Sequence, residues 1–289
     1  MARLVATLGL LVISCNAGSI LWNGNFDAYP TVATFDLWSF ANPVGQYQWY
    51  IHGAQNTSRY LALGPAFKNP ADTSEKNGLR MTIDPTATWN SQFERAELIP
   101  QVKSGVNLGQ GNLYYHFSIS HPSTNLPDPT LEHQICFFES HFTELKYGLN
   151  GTRLQWHGVP RWDTAFTAGV WLNFAYDIDF SASTVGLWAS TGSSPLVKVV
   201  QNIAASTFTN SQDWHLGILR LVNGGGASDF YFSGVYIENG PITTSVGTGG
   251  GTVTTPVSTT TGWAGPTVCQ APFICKPISP PFYFQCLSA

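Results

Sequence analysis

The chain has 289 residues, of which only 10% are Asp, Glu, Lys or Arg, and its formal net charge is −4. Soluble domains carry about 25% charged residues, so the chain is unusually neutral, and 13 Lys and Arg with no basic stripe exclude a nucleic-acid partner. A 43% hydrophobic share, 13% aromatics and ten Trp fit a secreted protein that has a real core and handles neutral sugars.

The N-terminus sets the expected compartment. Arg3 precedes an apolar run, Leu4 to Ile13, too short to span a membrane, and Cys15-Asn16-Ala17 ends in a small residue. This predicts a signal peptide over 1–17, cleavage after Ala17 and a secreted, extracellular product with no membrane partner. Sequons at Asn56 (Asn56-Thr57-Ser58) and Asn150 (Asn150-Gly151-Thr152) predict glycosylation. Monomer is the expected state.

Residues 18–240 read as one strand-rich domain. Leu79 to Ile83, Leu113 to Ile119, Phe174 to Phe180 and Phe230 to Ile237 are runs of aromatic and β-branched residues bounded by turn formers. Asn150-Gly151 between Leu145-Lys146-Tyr147 and Leu154-Gln155-Trp156 predicts a hairpin. No long stretch carries a helical apolar period. The pattern predicts an all-β antiparallel jelly-roll sandwich whose curved sheet offers an open concave groove. Residues 241–261 are Thr, Gly, Ser and Val with little to bury, a linker. Residues 262–289 form a small tail bearing Cys269, Cys275 and Cys286. Cys136, between Ile135 and Phe137, is expected to be a buried free thiol.

In a charge-poor chain, clustered carboxyls stand out. Glycoside hydrolysis needs two of them flanking one bond. In Phe93-Glu94-Arg95-Ala96-Glu97, strand alternation puts Arg95 and Glu97 on one face and Glu94 on the other. The pair fits a polar groove floor, and equally a cross-strand ion pair at a sheet surface. Glu139 ends the apolar run Ile135 to Phe138, with His141 two residues on. Phe137 and Phe138 are expected to desolvate it and raise its pKa, as suits a general acid; the alternative is a carboxyl closing a strand. His215, beside Trp214 and near Arg220, is a candidate sugar contact. Trp89, Tyr147 and Trp156 suit stacking on sugar faces or core packing. No Gly-x-Ser-x-Gly elbow, Walker loop or dinucleotide fingerprint occurs, and His133, His141 and His157 have no zinc spacing. No metal or cofactor is expected.

Segments 93–101, 132–148 and 213–221, together with Lys68 to Gly78, closely resemble glycoside hydrolase family 131 over about residues 18–240. The resemblance implies a β-jelly roll, fungal secretion, and action on β-1,3-, β-1,6- and β-1,4-glucans without a metal, by an inverting reaction. It places the catalytic glutamates on Glu97 and Glu139 and substrate or support roles on Arg95 and His215. Glu94 and Glu144 are the competing assignments, because a β-bulge would exchange faces. Alginate-lyase-like jelly rolls, which carry Arg-x-Glu and Gln-Ile-His strands, are a more distant resemblance; here Gln134-Ile135 is followed by Cys136. A lectin that binds glucan without cutting it is the third reading. The tail resembles a family 1 carbohydrate-binding module without its first segment. This implies a Cys269–Cys286 bridge, leaves Cys275 without its expected partner, and predicts weak or no cellulose binding.

Overall fold

Alternation of apolar and polar residues builds this domain. In Asn112–Ser120, Leu113, Tyr115, Phe117 and Ile119 enter the core while Tyr114, His116 and Ser118 face the other way. In Leu172–Asp179, Leu172, Phe174, Tyr176 and Ile178 do the same. The computed structural model describes residues 18–157 and 161–247, and the backbone of two further strands near the C-terminus.

The strands, in chain order, are β1 (Ser19–Asn23), β2 (Tyr47–Ile51), β3 (Leu61–Gly64), β4 (Gly78–Ile83), β5 (Glu94–Pro100), β6 (Asn112–Ser120), β7 (His133–Phe138), β8 (Leu145–Tyr147), β9 (Arg153–Trp156), β10 (Trp162–Ala165), β11 (Leu172–Asp179), β12 (Thr184–Thr191), β13 (Val197–Ala204), β14 (Trp214–Arg220) and β15 (Ser228–Asn239). One sheet runs β13-β12-β11-β6-β15-β4-β3, with β1 also on β15; the other runs β10-β9-β8-β7-β14-β5-β2. All pairings are antiparallel, and the apolar faces of the two sheets meet in one core, giving the expected jelly-roll sandwich. The Asn150-Gly151 hairpin is present, with Leu145 opposite Trp156 and Tyr147 opposite Leu154.

The segment from Lys68 to Gly78 straps the outer face of the eight-stranded sheet. Asn69 Nδ2 donates to Asn173 Oδ1 at 2.8 Å. Glu75 Oε1 accepts from Ser233 Oγ at 2.5 Å and from Gly234 N at 2.9 Å. Gly234, at φ +61°, sits where the β15–β6 register slips and returns Val235 and Ile237 to the core.

The domain continues past residue 240. Thr243 N and Oγ1 donate to Glu238, and Thr244 O accepts from Leu196 N at 2.8 Å. Residues 241–247, expected to belong to the linker, therefore lie on the sheet, because Glu238 offers a buried carboxylate for Thr243 to cap. Residues 254–289 form a separate unit. There β16 (Phe273–Ser279) pairs with β17 (Tyr283–Ser288), and Cys275 stands opposite Cys286 in backbone register. The signal peptide and Cys269, hence the Cys269–Cys286 bridge, lie outside the described residues. Cys136 is buried and free.

Candidate active site

On β5 alternation sends Ala96 and Leu98 into the core and leaves Arg95 and Glu97 on the opposite face of the seven-stranded sheet. Arg95 Nε donates to Glu97 Oε1 at 2.6 Å and Arg95 Nη2 to Oε2 at 2.8 Å, a bidentate pair. Burial works against the Arg95 charge, but the bond and charge of Glu97, with the charge of Glu139 and Tyr50, together hold the guanidinium above its ordinary pKa. Glu94 points the other way, into a fully buried ion pair with Arg220 and a hydrogen bond from Gly224 N at 2.9 Å. Arg220 and Trp214, the neighbours of His215 in the sequence, are therefore interior residues, each at most 1% exposed.

β14 brings His215 to the same face. Its Nδ1 lies 2.5 Å from Glu97 Oε2 and its Nε2 3.3 Å from Glu139 Oε2. Glu139 Oε2 is also 3.9 Å from Arg95 Nη2. The imidazole thus joins the two carboxyls. A side chain on Gly217, which faces Glu97 across the β14–β5 ladder, would leave no room: a Cβ would stand 2.6 Å from Glu97 Cα.

Glu139 reaches this face because β7 is kinked. Simple alternation would turn Phe137 and Glu139 to the core side. Instead Cys136 takes φ +48° where the β7–β14 register slips, so that Ile135 and Cys136 both point inward and Phe137 points out. Such a left-handed residue costs on the order of 1–3 kcal/mol. Phe138 returns to the core, and Glu139 N donates to Asp213 O at 3.0 Å. The expected desolvation of Glu139 does not occur: its side chain is 62% exposed, because Phe138 faces the core and Phe137 lies between two histidines.

Phe137 stacks on His215 (4.8 Å) and on His141 (5.3 Å). His141 Nδ1 is 2.9 Å from Glu144 Oε2, and this bond holds the imidazole above its ordinary pKa. Lys146 Nζ, 3.3 Å from Glu144 and 2.8 Å from Glu132, extends the polar row along β8. Glu144 is thus tied to His141 and Lys146.

The other flank is aromatic. Arg95 lies over the Trp89 ring at 5.4 Å, and Trp89 meets Tyr50 edge-on at 5.8 Å. Tyr50 stacks on Trp38 at 5.5 Å. Burial, then the charges of Glu139 and Glu97, raise the Tyr50 pKa, so its hydroxyl stays protonated. Tyr147 is corrected: it is 3% exposed and packs in the core against Phe166, because β8 alternation points it inward beside Leu145. Trp156 is likewise core, donating to Thr143 Oγ1 at 2.9 Å. The sequence reading missed Trp38, Phe40, Tyr50 and Gly217; the aromatic run Tyr47-Gln48-Trp49-Tyr50 was the available signal for Tyr50. Asn56 and Asn150 are both exposed. Among the described residues no three His, Cys, Asp or Glu side chains converge as a metal site.

The family model described as the glycoside hydrolase 131 catalytic N-terminal domain matches residues 20–243. The crystal structure of the catalytic domain of the glycoside hydrolase family 131 protein from Coprinopsis cinerea is 64% identical, covers 80% of this chain and 99% of its own, and has a TM-score of 0.78. That of a GH131 β-glucanase catalytic domain from Podospora anserina is 48% identical, covers 80% of this chain and 100% of its own, and has a TM-score of 0.77. Comparison with curated proteins gives no match.

Proposed function

The chain belongs to glycoside hydrolase family 131 and is a glucanase, and from that premise we propose that it hydrolyses β-1,3-, β-1,6- and β-1,4-linked glucans through Glu97, Glu139 and His215. The observation that carries this is the row in which His215 joins a fully enclosed carboxyl to a solvent-facing one.

Cleavage protonates the glycosidic oxygen and adds hydroxide from water to the anomeric carbon. Glu139, on an exposed stem, touches the substrate and gives its proton to the departing oxygen. The attacking water passes its proton to His215 Nε2. Glu97 stabilises the imidazolium through Nδ1–H and fixes the ring, as a buried carboxylate does for a histidine base. Arg95 holds Glu97 in place. Glu97 has no exposed surface and is bonded by Arg95 and His215, which supports water rather than a carboxylate as nucleophile, hence inversion. The two carboxyls share Arg95 Nη2 at 2.8 and 3.9 Å, so their facing oxygens stand no farther apart than the lower edge of the about 6.5–9.5 Å usual for inverting pairs, give or take a few tenths of an ångström. The exposed stem of Glu139 leaves it free to swing outward as substrate enters.

Family membership displaces the lyase and lectin alternatives. The protein is further proposed to be secreted after removal of residues 1–17, which N-terminal sequencing of the secreted product tests by finding Gly18 first. The function itself is tested by incubating the protein with laminarin, cellohexaose and mixed-linkage glucan. Reducing sugar from these supports the reading. Binding without products, or unsaturated products from uronate polymers, contradicts it.

A further inference from the structure

Phe40 is 75% exposed, the highest exposure among the large hydrophobic residues described. Burial of a Phe side chain stabilises a fold, and a ring held in water forgoes that. It is not a loose tip. Ser39 N donates to Asn42 O at 3.1 Å, Asn42 N donates to Ser39 O at 3.1 Å, and Ser39 Oγ accepts from Asn42 N at 3.0 Å, so the turn that carries Phe40 is closed on itself. The ring rests edge-on against Trp38 (4.8 Å, 69°) and tilted on Tyr50 (5.0 Å, 51°). Trp38 is fixed in turn by its Nε1–H bond to Gln101 Oε1 at 2.7 Å. Through Tyr50 and Trp89 this cluster runs without a break to Arg95, the guanidinium that binds Glu97.

We propose that Phe40, supported by Trp38 and Tyr50, is a glucosyl-binding subsite flanking the catalytic row on its β2 side, and sets how tightly longer glucan chains bind. The proposal rests on the β-glucan reading above. A glucosyl unit offers an apolar C–H face and a rim of hydroxyls; the exposed Phe40 ring matches the first, and Tyr50, on which it rests, brings a hydroxyl-bearing ring for the second. On the opposite flank His141, Glu144 and Lys146 present ionisable groups, and the exposed ring there is the polar imidazole of His141. Stacking reads the sugar face and not the hydroxyl pattern, so this subsite admits units whatever linkage follows. Its contribution is uniform binding, expressed in KM and not in kcat.

The test compares wild type, Phe40→Ala and Phe40→Trp on cello- and laminari-oligosaccharides of three and six units. Phe40→Ala is expected to raise KM for the hexasaccharides about ten-fold with kcat changed less than about two-fold, with a smaller effect on the trisaccharides. Phe40→Trp keeps the KM of wild type. If wild type cleaves these substrates and Phe40→Ala has the same KM, this proposal alone is overturned. It is equally overturned if Phe40→Ala changes only the oligomeric state in gel filtration, which makes the ring a protein contact. If wild type cleaves none of them, the glucan reading fails and takes this subsite with it.

Discussion

Glu97 and Gly217 face each other across the β5–β14 ladder so closely that a methyl group on Gly217 would stand 2.6 Å from Glu97 Cα. Gly217→Ala must push β5 and β14 apart at the point where Glu97 meets His215. The expected result is a loss of about 1–3 kcal/mol from overpacking and a fall in kcat of at least about ten-fold in the protein that remains folded. Thermal denaturation and single-substrate kinetics measure the two separately. A variant with normal kcat would show that Glu97 tolerates displacement.

The enclosure of Glu97 by Arg95 and His215 predicts the stereochemistry. Proton NMR of the first product from a β-glucan is expected to show the α-anomer, later equilibrating to the mixture. Initial release of the β-anomer would point to a covalent intermediate, and Glu139 as the exposed carboxyl would be its carrier.

Two aromatic residues separate groove from core. Trp89 supports Arg95 at 5.4 Å, whereas Tyr147 is 3% exposed. Trp89→Ala is expected to lower kcat/KM about ten-fold. Tyr147→Phe, which removes only a hydroxyl 3.5 Å from Pro127 O, is expected to leave kcat and KM within about two-fold of wild type and to cost less than about 1 kcal/mol of stability. The reverse pattern would put Tyr147 in the substrate site.

Glu75 predicts how stability depends on pH. Burial between the strap and β15 pushes its pKa from 4.5 up to about 7, against the opposing bond from Ser233. Between those values the folded state binds a proton that the unfolded state has lost, so Glu75 makes stability fall as pH rises through this window, by about 3 kcal/mol in all. Glu75→Gln keeps an oxygen for Ser233 and Gly234. Urea denaturation is expected to find it close to wild type at pH 4 and more stable above pH 7. Parallel pH profiles for the two proteins would contradict this.

The alternating strands were legible because each has a regular apolar face, as in Leu113, Tyr115, Phe117 and Ile119. Arg95 and Glu97 were legible on one face because β5 alternates without interruption through them. The orientation of Glu139 was not legible by parity, since the φ +48° kink at Cys136 reverses it, and a bulge leaves no period in the sequence. Tyr147 was misread because an aromatic residue in a strand gives no sign of which sheet face it occupies. The Trp38, Phe40 and Tyr50 cluster joins a loop to β2 through tertiary packing, which spacing along the chain does not encode.

The proposed pairing of Glu97 and Glu139 through His215 is tested most directly by turnover of β-glucan by Glu97→Gln and Glu139→Gln beside wild type, with circular dichroism to show folding and titration to show binding. Each variant is expected to stay folded, bind oligosaccharide nearly as wild type does and lose about 10²–10⁴-fold in kcat. A folded Glu97→Gln or Glu139→Gln that turns over at the rate of wild type would contradict the assignment.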